Sequence, residues 1–408
     1  MKSLRDIYKI GTGPSSSHTM GPQKAAKIFR EKHGNAAGFE VTLYGSLAAT
    51  GKGHMTDSAI KEVLEPTAPV KIIWQPTVFL PFHPNGMKFT ALDAGGGVTD
   101  EWTVYSIGGG ALSEGKASGD MFDTEEVYEM NSMTEIMKWC EDTGRSYWEY
   151  VDECEDDGIW DYLMEVWQTM RAAVERGINH EGRLPGPLNL ARKAPTYYVK
   201  ASGYKQSLQT RGLVYAYALA VSEENASGGT IVTAPTCGAS GVLPAVLYHL
   251  AKGHNFNDTR ILHAIATAGL IGNIAKQNAS ISGADVGCQG EVGVACAMAS
   301  GAACQLFGGS PSQIEYAAEM GLEHHLGMTC DPVCGLVQIP CIERNAFAAT
   351  RALDANLYSA FSDGSHRVSF DRVVTVMKQT GHDIPSLYKE TASGGLAKIL
   401  DPKGAREL

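Results

Sequence analysis

The pattern of apolar and polar residues predicts β-strands in the N-terminal part of the chain. Four segments are predicted to be extended: residues 39–44, 70–82, 87–93 and 101–107. The second and third of these flank Asn85-Gly86, which predicts a hairpin, because both turn positions of such a dipeptide need a positive φ. Residues 21–32 are predicted to form a helix that follows a loop over residues 11–19. With a glycine-rich linker over residues 108–120, this part of the chain is predicted to be an α/β domain.

The rest of the chain has helical spacing. Residues 121–183 fit two or three amphipathic helices with a solvated acidic face. Four later stretches are apolar and rich in small residues, which let helices approach closely: residues 213–221, 241–249, 261–274 and 292–307. We therefore predict an α+β protein in three parts: an α/β domain over residues 1–120, an acidic helical connector over residues 121–183 and a mostly α-helical domain over residues 184–408.

Composition and charge narrow the range of partners. The 408 residues are 44% hydrophobic and 19% charged, as expected of a soluble globular protein. A net charge of −11 gives no electrostatic basis for binding nucleic acid. The least polar stretch, residues 292–307, is too short and too weakly apolar to span a membrane, and the N-terminus lacks the apolar core of a signal peptide. We expect a cytoplasmic protein, in which cysteines stay reduced and are available as metal ligands.

Three of the nine cysteines lie in loops rich in glycine, proline and uncharged polar residues: Cys288, Cys330 and Cys341. An iron–sulfur cluster is held by four thiolates, or by three with one iron left open. The chain has no Cys-x-x-Cys, which argues against a zinc ribbon or a ferredoxin-type carrier. The three loop cysteines predict a cluster with a free corner, although Cys237 and Cys334 compete with them as ligands. Four cysteines in predicted helices are interpreted as structural: Cys140, Cys154, Cys296 and Cys304.

A run of hydroxyl side chains precedes the first predicted helix: Ser15, Ser16, Ser17 and Thr19, with His18 among them. Hydroxyl and backbone N–H groups at a helix N-terminus bind carboxylates and phosphates. Helix capping alone needs one hydroxyl group, not four with a histidine. The loop also lacks the P-loop and dinucleotide-binding motifs. It is therefore predicted to bind a small anionic substrate.

A second histidine, His54, lies between glycine and methionine two residues after Lys52, and Asp57 follows three residues later. Imidazole exchanges protons near neutral pH and is a common general acid or base. A single loop histidine is usually a surface residue, but two in one small domain, His18 and His54, favour a functional role. The pair at residues 324–325 is on a predicted helix and is interpreted as structural.

Several stretches of this sequence, taken in order, resemble the iron–sulfur L-serine dehydratases. These are bacterial L-serine ammonia-lyases that use a [4Fe-4S] cluster and no pyridoxal phosphate. The stretches are Gly13-Pro14-Ser15-Ser16-Ser17-His18-Thr19, Gly51-Lys52-Gly53-His54, Thr233-Ala234-Pro235-Thr236, Asn278-Ala279-Ser280-Ile281-Ser282-Gly283-Ala284, Val286-Gly287-Cys288-Gln289-Gly290-Glu291, Cys330-Asp331-Pro332 and Pro340-Cys341-Ile342-Glu343-Arg344-Asn345. The resemblance covers nearly the whole chain and corresponds to the single-chain form of the family.

The resemblance implies an N-terminal substrate-binding-like domain, a helical cluster-binding domain and usually a homodimer. It implies that Cys288, Cys330 and Cys341 hold the cluster, and that the hydroxyl loop and His54 face L-serine. Many single-chain relatives end in a cysteine that reaches the fourth iron, whereas this sequence ends Gly404-Ala405-Arg406-Glu407-Leu408. Water and Cys334 are therefore the candidates for that position.

The expected reaction is deamination of L-serine to pyruvate and ammonia, with an open iron as Lewis acid. Either His54 or His18 is expected to take the α-proton. Three alternatives stay open at this point. A pyridoxal-phosphate enzyme would need a Schiff-base lysine, for which Lys276 is the best candidate. The second is a related cluster-dependent enzyme, either a lyase acting on threonine or cysteine or an aconitase-like hydratase. The third is a non-catalytic amino-acid or redox sensor.

Overall fold

The computed structural model of the protein describes residues 1–115, 126–391 and 394–399. Its strands are β1 Ile10–Thr12, β2 Gly38–Tyr44, β3 Val70–Gln75, β4 Gly86–Leu92, β5 Val98–Ser106, β6 Leu112–Ser113 and β7 Thr230–Val232. Its helices are α1 Gly21–Lys32, α2 Gly45–Thr50, α3 Thr56–Leu64, α4 Met133–Thr143, α5 Tyr147–Cys154, α6 Ile159–Gly177, α7 Ala194–Ser202, α8 Gln206–Ala226, α9 Val242–His254, α10 Asp258–Asn278, α11 Gly283–Val286, α12 Val294–Leu306, α13 Pro311–Glu323, α14 Cys341–Ala360, α15 Phe370–Asp383 and α16 Leu396–Ile399. The predicted α+β class is confirmed.

The N-terminal region is a five-stranded sheet covered by helices. The strand order is β3-β2-β4-β5-β6, with β2 and β3 parallel and the other neighbours antiparallel. Alternate residues of β2 are buried, as its sequence pattern requires. Helix α1 has the predicted bounds and buries Ala25, Ala26 and Phe29 against the sheet. Helix α3 packs beside it, so that the loops before both helices lie close together.

The predicted hairpin at Asn85-Gly86 is wrong, because β2 lies between β3 and β4 and pairs with both. Residues 76–85 form a long loop instead of a two-residue turn. Two carbonyl groups of this loop, those of Val78 and Pro84, accept hydrogen bonds from the first two N–H groups of α2. The loop therefore satisfies the N-terminus of the helix that leads to His54.

The predicted linker over residues 108–120 is also wrong where the structure describes it. Three consecutive glycines, Gly108, Gly109 and Gly110, all have a positive φ and form the turn from β5 into β6. Leu112 of β6 is fully buried. Residues 116–120 of this prediction lie outside the described residues.

The remaining helices share one large hydrophobic core, centred on α10 and α12. Small residues bring these two helices together as predicted: a Cβ added to Gly301 would lie 2.3 Å from Cδ1 of Ile271. The acidic segment forms α4, α5 and α6, whose apolar sides belong to the same core. The first residues of the chain also join this core, and Tyr8 donates a hydrogen bond to the carbonyl oxygen of Ile265. Within the described residues, no helix has the length and apolar character needed to cross a membrane.

A buried carboxylate, that of Glu224, holds the C-terminal end of α8 in place. Glu224 accepts hydrogen bonds from Arg176, from Nδ1 of His180 at 2.6 Å and from Nη1 of Arg192 at 2.8 Å. The next residue, Asn225, donates to the carbonyl oxygen of Pro14 at 2.9 Å. This ion-pair network thus fixes the part of α8 that contacts the hydroxyl loop.

Replacement of Glu224 by alanine is expected to lower the free energy of unfolding by about 3 kcal/mol. It leaves the buried Arg192 guanidinium without its carboxylate, which is costly in a dry environment. Chemical denaturation of the two proteins measures the difference. The solvent-exposed Glu165 of α6 supplies the matched control, since its replacement should change the free energy by less than about 0.5 kcal/mol. Equal effects of the two substitutions would contradict this account.

Candidate active site

The structure places Cys288, Cys330 and Cys341 on the wall of one small cavity. Cys288 follows α11, Cys330 lies in the loop after α13, and Cys341 is the first residue of α14. Ser15 and His54, from the N-terminal region, line the same cavity. The fold therefore brings together residues that are far apart in the sequence and that carry both predicted functions, cofactor binding and substrate binding.

One end of the cavity, the sulfur end, consists of Cys288, Cys330, Cys341 and Glu291. The ligand atoms of Cys288, Glu291 and Cys330 all lie within 4.8 Å of one another. Glu291 accepts a hydrogen bond from the hydroxyl of Thr236 at 2.9 Å. The π-helical turn Gln289–Gly293 between α11 and α12 directs Cys288 and Glu291 to the same side. Single π-helical turns occur often at functional sites.

Backbone and side-chain hydrogen bonds hold the cysteine loops in place. The N–H of Cys330 donates to the carbonyl of Tyr388, and the N–H of Glu390 donates to the carbonyl of Cys330, each at 2.8 Å. The Asn345 side chain donates to the carbonyl oxygens of Cys341 and of Gly238, at 2.8 and 2.7 Å. The sulfur positions are therefore set by segments on three sides of the cavity.

The sulfur end concentrates groups that become negative when they ionise. The hydrogen bond with Cys288 raises the pKa of the Cys330 thiol well above its usual value, and burial and the charge of Cys288 add to this. Burial and the charge of Cys288 likewise raise the pKa of Cys341, against the opposing effect of Arg344. Burial raises the pKa of Glu291 as well. Three thiols so close together ionise readily only when a cationic group binds among them.

Arg344 is the basic residue beside these sulfurs. Its guanidinium donates to the carbonyl of Thr329 at 2.7 Å and lies 3.4 Å from the Asp331 carboxylate. Burial opposes its charge, but the neighbouring Cys288 and Cys341 raise its pKa above the usual value. It therefore supplies one fixed positive charge next to the predicted ligands.

Ser15, His54 and Glu390 also line the cavity, and His18 lies against His54 and Glu390. These four residues are called the imidazole end. The two imidazole rings meet edge to face with their centroids 4.5 Å apart. His18 is fixed at both nitrogens, since Nδ1 is 2.8 Å from the Ser17 hydroxyl and Nε2 is 3.1 Å from the Ser46 hydroxyl. Nδ1 of His54 is buried and has no hydrogen-bond partner among the described residues. Burial lowers the pKa of His54 to about 4, so its ring is neutral at pH 7.

The hydroxyl loop supports this end of the cavity. Ser15 lines the cavity, and its hydroxyl accepts a hydrogen bond from the N–H of His18 at 3.1 Å. Thr19 donates to the carbonyl oxygen of His54 at 2.6 Å. Ser17 contacts both the Ser15 hydroxyl and His18, and Ser16 starts the π-helical turn Ser16–Met20 that leads into α1. Among the predicted substrate-binding residues, Ser15 faces the cavity, while Ser17 and Thr19 position the two histidines.

Glu390 is a site residue that the sequence analysis missed. It is buried, lines the cavity and places Oε1 3.5 Å from Nδ1 of His18. Burial, followed by the charges of Glu291 and Cys288, raises the pKa of its carboxyl group. The segment around it carries no motif, and it reaches the cavity only because residues 388–390 bond to the backbone of Cys330.

The two regions of the chain are in close backbone contact next to the site. A Cβ added to Gly53 would lie 2.6 Å from the carbonyl oxygen of Gly335. Gly335 belongs to the short turn Val333–Gly335, between Cys330 and Cys341. The glycine before His54 therefore allows the loop of the N-terminal region to pack onto the ligand-bearing loop.

The other cysteines lie elsewhere. Cys237, a competing ligand in the sequence analysis, is buried with its Sγ 3.4 Å from Sδ of Met20 and does not line the cavity. Cys334 is partly exposed on the turn next to Gly335 and also lies off the cavity wall. The four cysteines interpreted as structural are in helices, three of them buried: Cys140, Cys154, Cys296 and Cys304.

Three further residues from the sequence analysis are also outside the cavity. Lys276, the candidate Schiff-base lysine, makes an ion pair with Asp6. His325 is buried, and its Nδ1 lies 2.7 Å from the carbonyl oxygen of Gly321, one helical turn earlier. His324 follows the last residue of α13, and its Nδ1 lies 2.9 Å from the carbonyl oxygen of Met320. These contacts explain all three side chains without a role at the site.

The chain thus combines a β-sheet region and a helical region around one shared cavity. Comparison with known proteins identifies its family. The family model described as the serine dehydratase alpha chain matches residues 96–397, and that described as the serine dehydratase beta chain matches residues 3–73 and 61–117. The chain belongs to the serine dehydratase family, in the form that carries both regions in a single chain.

Several relatives match over nearly their whole length. The L-serine dehydratase of Streptomyces coelicolor is 42% identical, with 97% of this chain and 98% of the relative covered. L-serine dehydratase 1 of Escherichia coli is also 42% identical, with 97% and 99% covered. The L-serine dehydratase of Haemophilus influenzae is 40% identical, with 97% of this chain and 99% of the relative covered. The family resemblance seen in the sequence motifs is therefore confirmed.

Proposed function

We propose that this protein is an L-serine ammonia-lyase that converts L-serine to pyruvate and ammonia with the help of a [4Fe-4S] cluster. The observation that carries the proposal is the single cavity in which three cysteines meet Ser15 and His54. The names of the relatives, all L-serine dehydratases, support the choice of substrate. The reducing conditions that the thiols and the cluster need suggest the cytoplasm.

The residues of the sulfur end fit the cluster. Cys288, Cys330 and Cys341 would hold three irons. A cationic cofactor bound among them would lower the raised pKa values of the Cys330 and Cys341 thiols. Gly283 leaves space beside them, since a Cβ there would lie 2.7 Å from Oε2 of Glu291 and 3.2 Å from Sγ of Cys330. When bound, a cluster with an open iron supplies a Lewis acid for the departure of the substrate hydroxyl.

The imidazole end would bind the substrate carboxylate and remove the α-proton. The Ser15 hydroxyl and the N–H groups at the start of the helix bind the carboxylate. His54, whose imidazole lines the cavity and is neutral, is the general base. His18 is a positioning residue, because Ser17 and Ser46 occupy both of its nitrogens. Loss of the α-proton and of the hydroxyl as water gives aminoacrylate, which tautomerises and hydrolyses to pyruvate and ammonia.

Turnover of anaerobically purified protein tests the proposed function. We expect pyruvate from L-serine, with iron and sulfide in the protein and no pyridoxal absorbance band. L-threonine and L-cysteine serve as comparison substrates, because one methyl group in a pocket changes the free energy by about 1–3 kcal/mol. Binding of L-serine without pyruvate would favour the sensor alternative and reject the lyase.

A Gly283→Ala substitution is expected to lower cofactor content. The added methyl group would occupy space between Glu291 and Cys330, and disturbing the surroundings of a metal site costs about 10- to 100-fold in metal affinity. Iron and sulfide per chain after reconstitution at limiting iron measure the effect. The control is Gly253→Ala in α9, where a Cβ would meet no atom within 4 Å. Equal iron content in both variants would contradict the assignment of this space.

A homodimer is part of the proposal. One face of α14 is apolar and open, with Phe347, Tyr358 and Phe361 exposed by 69%, 58% and 84%. Exposed aromatic residues on one helix face are typical of an interface. A second copy of this chain is the proposed occupant. Light scattering should give twice the chain mass, and Phe361→Glu should reduce it; a monomeric parent protein would reject the dimer.

A further inference from the structure

Two carboxyl groups line the cavity, and each has different neighbours. Glu291 is at the sulfur end, within 4.8 Å of Cys288 and Cys330. Glu390 is at the imidazole end, and its carboxylate oxygen forms a cluster with ring nitrogens of His18 and His54 within the same limit. The two carboxyl groups therefore have different neighbours and cannot serve the same purpose.

The backbone around Glu390 is built to hold this side chain inward. Glu390 has a φ of 58°, which is uncommon for a residue other than glycine. Its N–H donates to the carbonyl of Cys330 at 2.8 Å, and its own carbonyl accepts from the Ser46 hydroxyl at 3.2 Å. Ser46 also contacts His18 at 3.1 Å. Glu390 is thus fixed to both regions of the chain that form the cavity.

The charges on the cavity wall favour a cationic ligand group at this end. No described residue lining the cavity is a lysine or an arginine, whereas Glu291 and Glu390 both line it. Arg344, a positive charge beside the sulfurs, is hydrogen-bonded to Thr329 and Asp331. An ammonium group placed between Ser15 and His54 would therefore find Glu390 as its acidic partner.

We propose that Glu390 binds the α-ammonium group of the amino-acid substrate. This inference rests on the proposed function and assigns the third group of the substrate. The carboxylate goes to Ser15 and the helix start, the hydroxyl points to the sulfur end, and the ammonium group goes to Glu390. A charged hydrogen bond of this kind selects amino acids over hydroxy acids of the same size.

The test compares two ligands that each lack one group of L-serine. L-Alanine keeps the ammonium group and lacks the hydroxyl, and 3-hydroxypropanoate keeps the hydroxyl and lacks the ammonium group. In Glu390→Gln protein loaded with its cofactor, the Kd of L-alanine by calorimetry should rise about 10- to 100-fold. The Kd of 3-hydroxypropanoate should change by less than about threefold. Glu390→Asp keeps the charge and should recover part of the L-alanine affinity.

Matched measurements separate this role from a structural one. Glu315→Gln is the control, because Glu315 is also a buried carboxyl group but pairs with His366, outside the cavity. Iron content and circular dichroism check that each variant keeps its cofactor and fold. Equal weakening of both ligands, or unchanged L-alanine binding with a lower kcat, would overturn the inference. The latter result would make Glu390 a proton relay for the histidines.

The experiments distinguish rejection of the lyase from rejection of the ammonium site at Glu390. If the parent protein forms no pyruvate from L-serine, the lyase is rejected, while the calorimetric comparison of the two ligands still decides the role of Glu390. If the parent protein forms pyruvate and the Glu390→Gln variant binds L-alanine normally, the lyase stands and the ammonium site is rejected.

Discussion

Replacement of Cys330 by serine is expected to abolish most of the iron content and to lower turnover of L-serine at least about 100-fold. The thiol of Cys330 is buried beside Cys288, and a serine hydroxyl does not ionise to give a soft ligand there. Loss of one of three sulfurs leaves the cofactor without the ligands that hold it in the cavity. Iron and sulfide analysis, the visible absorbance band and the pyruvate assay measure this outcome on anaerobic protein.

Cys304 provides the matched control for this substitution. It is also a buried thiol, on α12, but it lies away from the cavity. Cys304→Ala should keep full iron content and lose only about 1 kcal/mol of stability, the cost of a small cavity in the core. A Cys330→Ser protein with normal iron content and normal turnover would remove Cys330 from the ligand set.

Replacement of His54 by glutamine is expected to lower kcat about 10²- to 10⁴-fold, the range observed when a general base is lost. His54 is buried at the cavity wall, and its imidazole ring is neutral at pH 7 because burial lowers its pKa to about 4. Glutamine keeps the polarity and much of the volume but accepts no proton. Iron content should stay unchanged, since His54 is not one of the predicted cluster ligands.

Two further variants test whether this effect is specific to His54. His263→Gln is the control, because His263 stacks on Trp148 at the surface of the helical region. His18→Gln should be less harmful than His54→Gln, since both His18 nitrogens already have hydroxyl partners. A larger loss in His18→Gln than in His54→Gln would exchange the roles of the two histidines.

Individual helices could be predicted because the spacing of apolar residues within a short segment is enough to determine them. Helix α1 has the predicted bounds, since Pro22 starts it and its apolar residues recur at helical spacing. The sheet order was not predictable in the same way. Strands β3 and β4 are neighbours in sequence, and Asn85-Gly86 is a strong turn signal, yet β2 lies between them. Pairing between strands depends on tertiary contacts that the turn residues do not specify.

Some residues of the candidate site could also be predicted from the sequence, and others could not. Residues in dense loop motifs, such as Cys288 and His54, could be selected from the sequence because glycine, proline and hydroxyl residues surround them. Glu390 could not, because only its contact with the backbone of Cys330 brings it to the cavity. The different roles of the two histidines also depend on distances: Ser46 approaches His18 from a separate helix.

The cavity wall is divided between the two regions of the chain, and this has a consequence for assembly. Ser15 and His54 come from one region, and Cys288 and Cys330 from the other, so neither region alone contains the complete set. Covalent connection keeps the two at a fixed one-to-one stoichiometry. It also gives them a high effective concentration, so the site forms without a bimolecular encounter and does not depend on the amount of protein present.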